Sequence, residues 1–189
     1  MDHPEYKAVS WSRVTLKELM IPSYANFGGK IHGGILLSLM DKAAYVTASK
    51  HAGGYCVTVS VDNVNFREAV EVGDLVSLMA SVNHVGNSSM VVGIRVTAEN
   101  VSEGVVRHTN TSYFTMIHKG PDGKPAQVPG LILENSDDLR RYYEAIKRIE
   151  LRERYSVELN NERTKMELKS GLGLLAGRRV QFDPAILNG

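Results

Sequence analysis

The residues with the clearest chemical content lie in the run Asn26-Phe-Gly-Gly-Lys-Ile-His-Gly-Gly-Ile-Leu-Leu-Ser-Leu-Met-Asp41. An amide side chain precedes two glycine pairs. An apolar helical pattern starts at the second pair, and a carboxylate follows about two turns into it. Gly33 and Gly34 remove side chains where the helix begins, so backbone N–H groups there can meet a ligand oxygen, and the helix dipole favours negative charge at that end. Residues three and four apart share a helix face, which groups Asp41 with Leu37, Ser38, Ala44 and Tyr45. A carboxylate among apolar neighbours costs free energy unless it is paired or used. Together these are the parts of a site that polarises a carbonyl and activates a water; the plain alternative is a glycine loop followed by a solvated aspartate.

The elements that must hold those groups are legible from periodicity. Ile35 to about His51 has helical spacing, with Ala43, Ala44 and Ala48 small enough to admit a close neighbour, and Gly53-Gly54 stops it. Residues 8–21 alternate loosely and predict a first strand ending at Pro22. Four more strand patterns follow: Tyr55–Phe66, Asp74–Val85, Ser88–Glu99 and Val105–His118. Gly86-Asn87 and Asn100 to Gly104 mark turns, and Gly120-Pro-Asp-Gly-Lys-Pro125 closes the regular part. One long helix against a mostly antiparallel sheet is an α+β layer architecture. From about Glu134 the composition changes. Ser136-Asp-Asp-Leu139 starts a helix in which Leu139, Tyr143, Ile146 and Ile149 share a face, and a second helical stretch is expected from Ser156 to Lys169 before a break at Gly171 to Gly177.

Composition narrows the classes. A chain of 189 residues fits one domain with an appendage, or two small domains, and its net charge of +1 gives no general attraction to nucleic acid or anionic membranes. One cysteine, Cys56, excludes an internal disulfide and reads as a small buried apolar residue. The N-terminus lacks the apolar stretch of a signal peptide, and no run is long enough to insert in a bilayer, so a cytoplasmic protein is expected. His3, His32, His51, His84, His108 and His118 form no ligand-spaced pair, so no metal site is expected. Gly-x-Ser-x-Gly, phosphate-loop and dinucleotide motifs do not occur.

With Val57-Thr-Val-Ser-Val-Asp-Asn-Val-Asn-Phe66, Val72-Gly-Asp74, Val85-Gly-Asn-Ser-Ser-Met90 and Thr111-Ser-Tyr-Phe-Thr115 in order after the Asn26–Asp41 run, residues 8–130 resemble the hotdog-fold acyl-CoA thioesterases of the acyl-CoA hydrolase type. The resemblance implies a hotdog fold, a long central helix wrapped by a curved antiparallel sheet, over residues 1–130, with 131–189 as a C-terminal helical extension. It implies hydrolysis of acyl-CoA to free fatty acid and CoA, with coenzyme A entering only as part of substrate and product and no other cofactor. Homodimers would share their active sites and assemble further, as a hexameric trimer of dimers. By the same resemblance Asn26 and Asp41 are catalytic, from opposite subunits. Asp41 would be general base or, through an anhydride, nucleophile, while backbone amides at Gly33 and Gly34 stabilise the oxyanion. Val59, Ser60, Phe66, Ser88 and Ser89 would contact the acyl chain or CoA. Asn87 stands where relatives carry a basic residue, which leaves Arg67, Arg107 or the extension to meet the phosphates. His32 shapes the glycine loop. The competing readings are a hotdog hydratase or dehydratase using His32 with Asp41, and a non-catalytic acyl-CoA-binding regulator.

Overall fold

A computed structural model describes residues 5–165, 171–181 and 183. The order of elements is β1 (Tyr6–Ala8), α1 (Val9–Ser12), β2 (Val14–Leu19), α2 (Gly33–Ala52), β3 (Cys56–Val61), β4 (Asp74–Val85), β5 (Ser89–Asn100), β6 (Val105–His118), β7 (Gly130–Ile132) and α3 (Ser136–Lys165). Short 3-10 turns lie at Pro22–Tyr24 and Leu172–Leu175. The chain divides into two units between Ala145 and Ile146.

In the first unit, five antiparallel strands form a sheet in the order β2-β4-β5-β6-β3. Strand alternation sorts its residues by face. Val76, Leu78, Ala80 and Val82 of β4, Met90, Val92, Ile94 and Val96 of β5, and Phe114 and Met116 of β6 are all buried against α2. From the helix side come Leu36, Leu39, Met40, Ala43, Ala44 and Ala48. The alanines let the sheet approach the helix axis closely, so α2 is the centre of the core. This is the hotdog arrangement that the resemblance implies.

The helix has defined ends. His32 is its N-cap, its Nδ1 accepting from Gly34 N–H at 2.9 Å. Gly53 closes the C-terminus in the left-handed conformation, φ 77°, with its N–H donating to Ser49 O. Lys7 Nζ donates to the last-turn carbonyl of His51 at 2.6 Å.

Three local features depart from the sequence reading. The first predicted strand is interrupted, because Val9–Ser12 forms one helical turn that buries Val9 and Ser12. Ahead of it, β1 pairs in parallel with β7, a three-residue strand beyond the loop expected to end the regular part. The C-terminal helix is continuous from Ser136 to Lys165 rather than split near Ser156. No glycine or proline lies in that span, so nothing stops it. Its expected end at Lys169 lies outside the described residues. Among the described residues no helix is long and apolar enough to cross a membrane.

Candidate active site

Asp41 lies on the exposed flank of α2, eight residues into the helix, facing β3. Its Oδ1 accepts from the Thr58 hydroxyl at 2.6 Å, the short distance of a charge-assisted bond. Thr58 Oγ1 also lies 3.3 Å from Met116 Sδ, and its single proton goes to the better acceptor, the carboxylate. The pair stands in a cleft of about 690 Å³ lined by Leu16, Lys42, Tyr45, Val46, Tyr55 and Val57. The expectation of a carboxylate on an apolar face is therefore met by pairing, with one carboxylate oxygen left toward the cleft.

Thr58 is the residue that sequence reasoning passed over. In the alternating run Val57–Val61 the sequence leaves open whether the valines or their alternates face inward. The sheet decides it: Cys56 and Thr58 stand opposite His118 and Met116 and face the helix, a register shift at Val59 then re-phases the strand so that Val61 stands opposite buried Phe114, and Val59 and Val61 remain exposed along the edge. The findable signal was a hydroxyl in phase with the buried Cys56, on the face that meets an aspartate-bearing helix.

Asn26 sits in the loop before α2, and its own backbone fixes it. Oδ1 accepts from Gly28 N–H at 2.9 Å and from Lys30 N–H at 3.2 Å, and Asn26 N–H donates to Lys30 O at 2.7 Å. With the carbonyl end so engaged, the amide's NH2 end is presented outward. The loop is anchored by the Lys30–Glu71 pair at 2.6 Å and by Ile31 N–H donating to Val70 O. Of the two glycine amides at the helix start, that of Gly34 is taken by His32 Nδ1, while that of Gly33 has no partner among the described residues. The Phe66 ring lies against Gly33, 3.4 Å from where a side chain would begin.

The remaining sequence candidates scatter. Val59 sits at a register shift in β3, Ser60 beside it, both on the edge strand. Ser88 lies in the β4–β5 turn, where its O accepts from His118 N–H, Ser89 opens β5, and neither lines the Asp41 cleft. Arg107 donates to buried Asp74 at 2.6 Å and to Ala69 O, so its guanidinium holds the loop before β4.

Residues 28–105 match the model of the thioesterase superfamily. Protein VdlD of Helicobacter pylori is 41% identical over 143 residues, which cover 76% of this chain and 82% of that one. An acyl-CoA hydrolase from Staphylococcus aureus, solved with butyryl coenzyme A, coenzyme A and coenzyme A disulfide, is 30% identical with a TM-score of 0.76, covering 85% of this chain and 98% of that one. An apo-hexameric acyl-CoA thioesterase is 35% identical with a TM-score of 0.78, covering 80% and 97%. The chain belongs to the thioesterase superfamily, in its hotdog-fold acyl-CoA thioesterase branch, and is a thioester hydrolase. Further structures of the S. aureus enzyme carry alanine in place of an asparagine, an aspartate and a threonine, the asparagine variant with coenzyme A. Those positions are separated by 15 and 17 residues, the separations from Asn26 to Asp41 and from Asp41 to Thr58.

Proposed function

We propose that this protein hydrolyses acyl-CoA to a free acid and CoA, with Asp41 as general base. The observation that carries the reading is the 2.6 Å bond from Thr58 to Asp41, which fixes one carboxylate oxygen and leaves the other for a water. The shared spacing with the asparagine, aspartate and threonine varied in the S. aureus enzyme supports the same trio.

In this reading the water oxygen attacks the thioester carbonyl while Asp41 Oδ2 takes its proton. The developing oxyanion is met by Asn26 Nδ2 and Gly33 N–H at the positive end of α2. The C–S bond then breaks, and the CoA thiolate leaves and is reprotonated. The site is shared between subunits. Along one helix Asp41 lies about 12 Å beyond Gly33, at 1.5 Å per residue, whereas water and carbonyl must approach within bonding distance. The Asn26 and Gly33 of one chain therefore serve the Asp41 of another. The β3 edge, exposed at Val59 and Val61, is the proposed dimer seam, and hexamers are the proposed assembly. His32 is already committed as a helix cap through Nδ1, which supports hydrolysis over a His-based hydration. No cofactor enters the reaction.

Release of free thiol from CoA thioesters of rising chain length tests the activity. Asp41→Asn keeps the shape and removes the base. Turnover is expected to fall by roughly 10²–10⁴, the usual worth of a general base, with KM nearly unchanged. A variant that keeps more than half of wild-type turnover refutes the assignment.

A further inference from the structure

The face of the sheet turned away from α2 carries a second pocket, of about 400 Å³, that the thioesterase reading does not use. Its floor is the outer surface of β4, β5 and β6, and its wall is the start of α3, Asp137 to Glu144. All its residues belong to the first unit.

Asn83 is the unusual member. The β4–β5 register shifts between Val82 and His84, so Asn83 is the extra residue of a bulge. Bulges re-aim side chains, and here Val82 stays in the core while the Asn83 amide turns over Gly93. The fit requires a glycine, because a side chain at position 93 would begin 2.2 Å from Asn83 Nδ2. Asn83 is only 5% exposed. Its Oδ1 accepts from the Ser81 hydroxyl at 3.0 Å, but Nδ2 has no hydrogen-bond partner among the described residues. Nδ2 is not among the fully buried unpartnered polar atoms, so it opens onto the pocket, where it can donate to an acceptor.

The charges point to the same kind of acceptor. Four arginines line the pocket: Arg13, Arg95, Arg140 and Arg141. Arg13 is paired with the buried carboxylate of Asp138 at 3.1 Å, and Arg140 with Glu144 at 2.7 Å. Arg95 has no ion pair or hydrogen bond among the described residues. Arg141 is loosely held, 3.8 Å from Asp137 and 3.5 Å from Ser81 Oγ. Asp137 is itself shared with Arg140 at 3.4 Å. Two guanidiniums thus face the pocket against one shared carboxylate, beside the amide donor of Asn83.

We propose that this pocket binds a phosphate-type oxyanion, with Asn83 Nδ2 and Arg95 as its fixed donors and Arg141 moving from Asp137 to complete the grip. Arginine forks suit such anions because they donate two parallel bonds. The anion is either a free phosphate compound or the phosphate of a CoA held by a neighbouring subunit.

Calorimetric titration with inorganic pyrophosphate tests the site on the full-length protein. Wild type is expected to bind saturably. Arg95→Gln should weaken binding at least tenfold, and Asn83→Asp, which keeps the bond from Ser81 but turns a donor into an acceptor, should weaken it further. Both variants should retain wild-type melting and thiol release at saturating substrate; if Asn83→Asp melts early, Arg95→Gln decides. KM values for an acyl-CoA and for the S-acyl pantetheine lacking the nucleotide identify the source. A rise confined to acyl-CoA in Arg95→Gln assigns the anion to the substrate, and no change in either assigns it to a free phosphate compound. Absence of saturable binding to wild type, or binding undiminished in the variants, overturns the proposal.

Discussion

At the scale of residues, the proposed site commits one end of each polar side chain to the scaffold and leaves the other free for a substrate. Asn26 gives its carbonyl oxygen to the loop. Asp41 gives one oxygen to Thr58. If the hydroxyl steadies the base, Thr58→Val loses a charge-assisted bond of about 1.5–3 kcal/mol, part of which is expressed in the transition state. Turnover should fall about tenfold or more with a smaller change in KM; steady-state kinetics showing wild-type kcat would remove Thr58 from the machinery. Asn26 and Asp41 could be proposed from the sequence because an amide before a glycine-rich helix start and an acid inside the helix are unusual choices for their places. Thr58 could not, because only the docking of β3 on α2 decides which face of an alternating strand is inward. His51 shows the converse, a titratable group buried for structure. It lies fully inside with Nε2 against Pro129 O at 2.9 Å, and desolvation holds its pKa below the ordinary histidine value. His84 is displaced downward for the same reason. Folding therefore favours the neutral rings, while the unfolded chain gains protons as pH falls through about 6.5. Stability present above that pH is lost below it. Thermal melts should decline between pH 7.5 and 5.5, and His51→Gln, whose amide can still donate to Pro129 O, should flatten part of that decline. An unchanged slope in the variant would show that His51 is not the source.

At the scale of elements, α2 and the four long strands were readable because each has one dominant period. Their ends carry glycine or turn signals that local sterics enforce, such as Gly53 after the helix and Gly86-Asn87 between β4 and β5. The β1–β7 pairing was not readable: two three-residue strands far apart in sequence carry no periodicity, and only tertiary contact joins them. The start of α3 was visible, but its cap is Asn135 rather than Ser136, with Asn135 Oδ1 accepting from Asp138 N–H at 2.9 Å and Asp138 Oδ2 accepting back from Asn135 Nδ2 at 3.0 Å. The first turns of the helix are also held to the rest of the first unit. Asp138 is buried against Arg13, Glu134 accepts from the Ser10 hydroxyl and backbone N–H, and Ala145 is fully buried. Two truncations should consequently differ. Removing residues 146–189 should leave the melting temperature of the first unit within a few degrees of wild type. Removing residues 135–189 strips the partner of Arg13 and the cover of the outer sheet face, and should lower the melting temperature by about 4–8 °C per kcal/mol lost in a small domain, less in a larger one. Equal melting of the two truncated proteins would mean that the first turns of α3 contribute nothing to the core.

At the scale of the whole molecule, one chain does not explain its own surface. Phe27 is wholly exposed beside Asn26, and Val59, Val61 and Phe66 are exposed around the β3 edge, an apolar rim on both sides of the site. Exposed apolar patches of this kind mark a surface that another protein covers, and a two-fold pairing would bring the same rim onto itself. The consequence is testable by complementation. Asn26→Ala and Asp41→Ala homodimers should each be nearly inactive, because every site lacks one of its two chemical groups. In a mixed dimer one site collects both lesions and the other collects both intact residues. Random co-assembly makes half the dimers mixed, each with one working site of two, so co-expression should restore about a quarter of wild-type activity by two-fold symmetry alone. Native mass spectrometry must confirm that mixed dimers have formed, since preformed oligomers exchange slowly. If mixed dimers are present and activity stays at the level of the single variants, Asn26 and Asp41 do not meet across chains. The shared site would then be wrong even with both residues essential, and the Asn26 loop would have to reach Asp41 of its own chain by closing along the first two turns of α2.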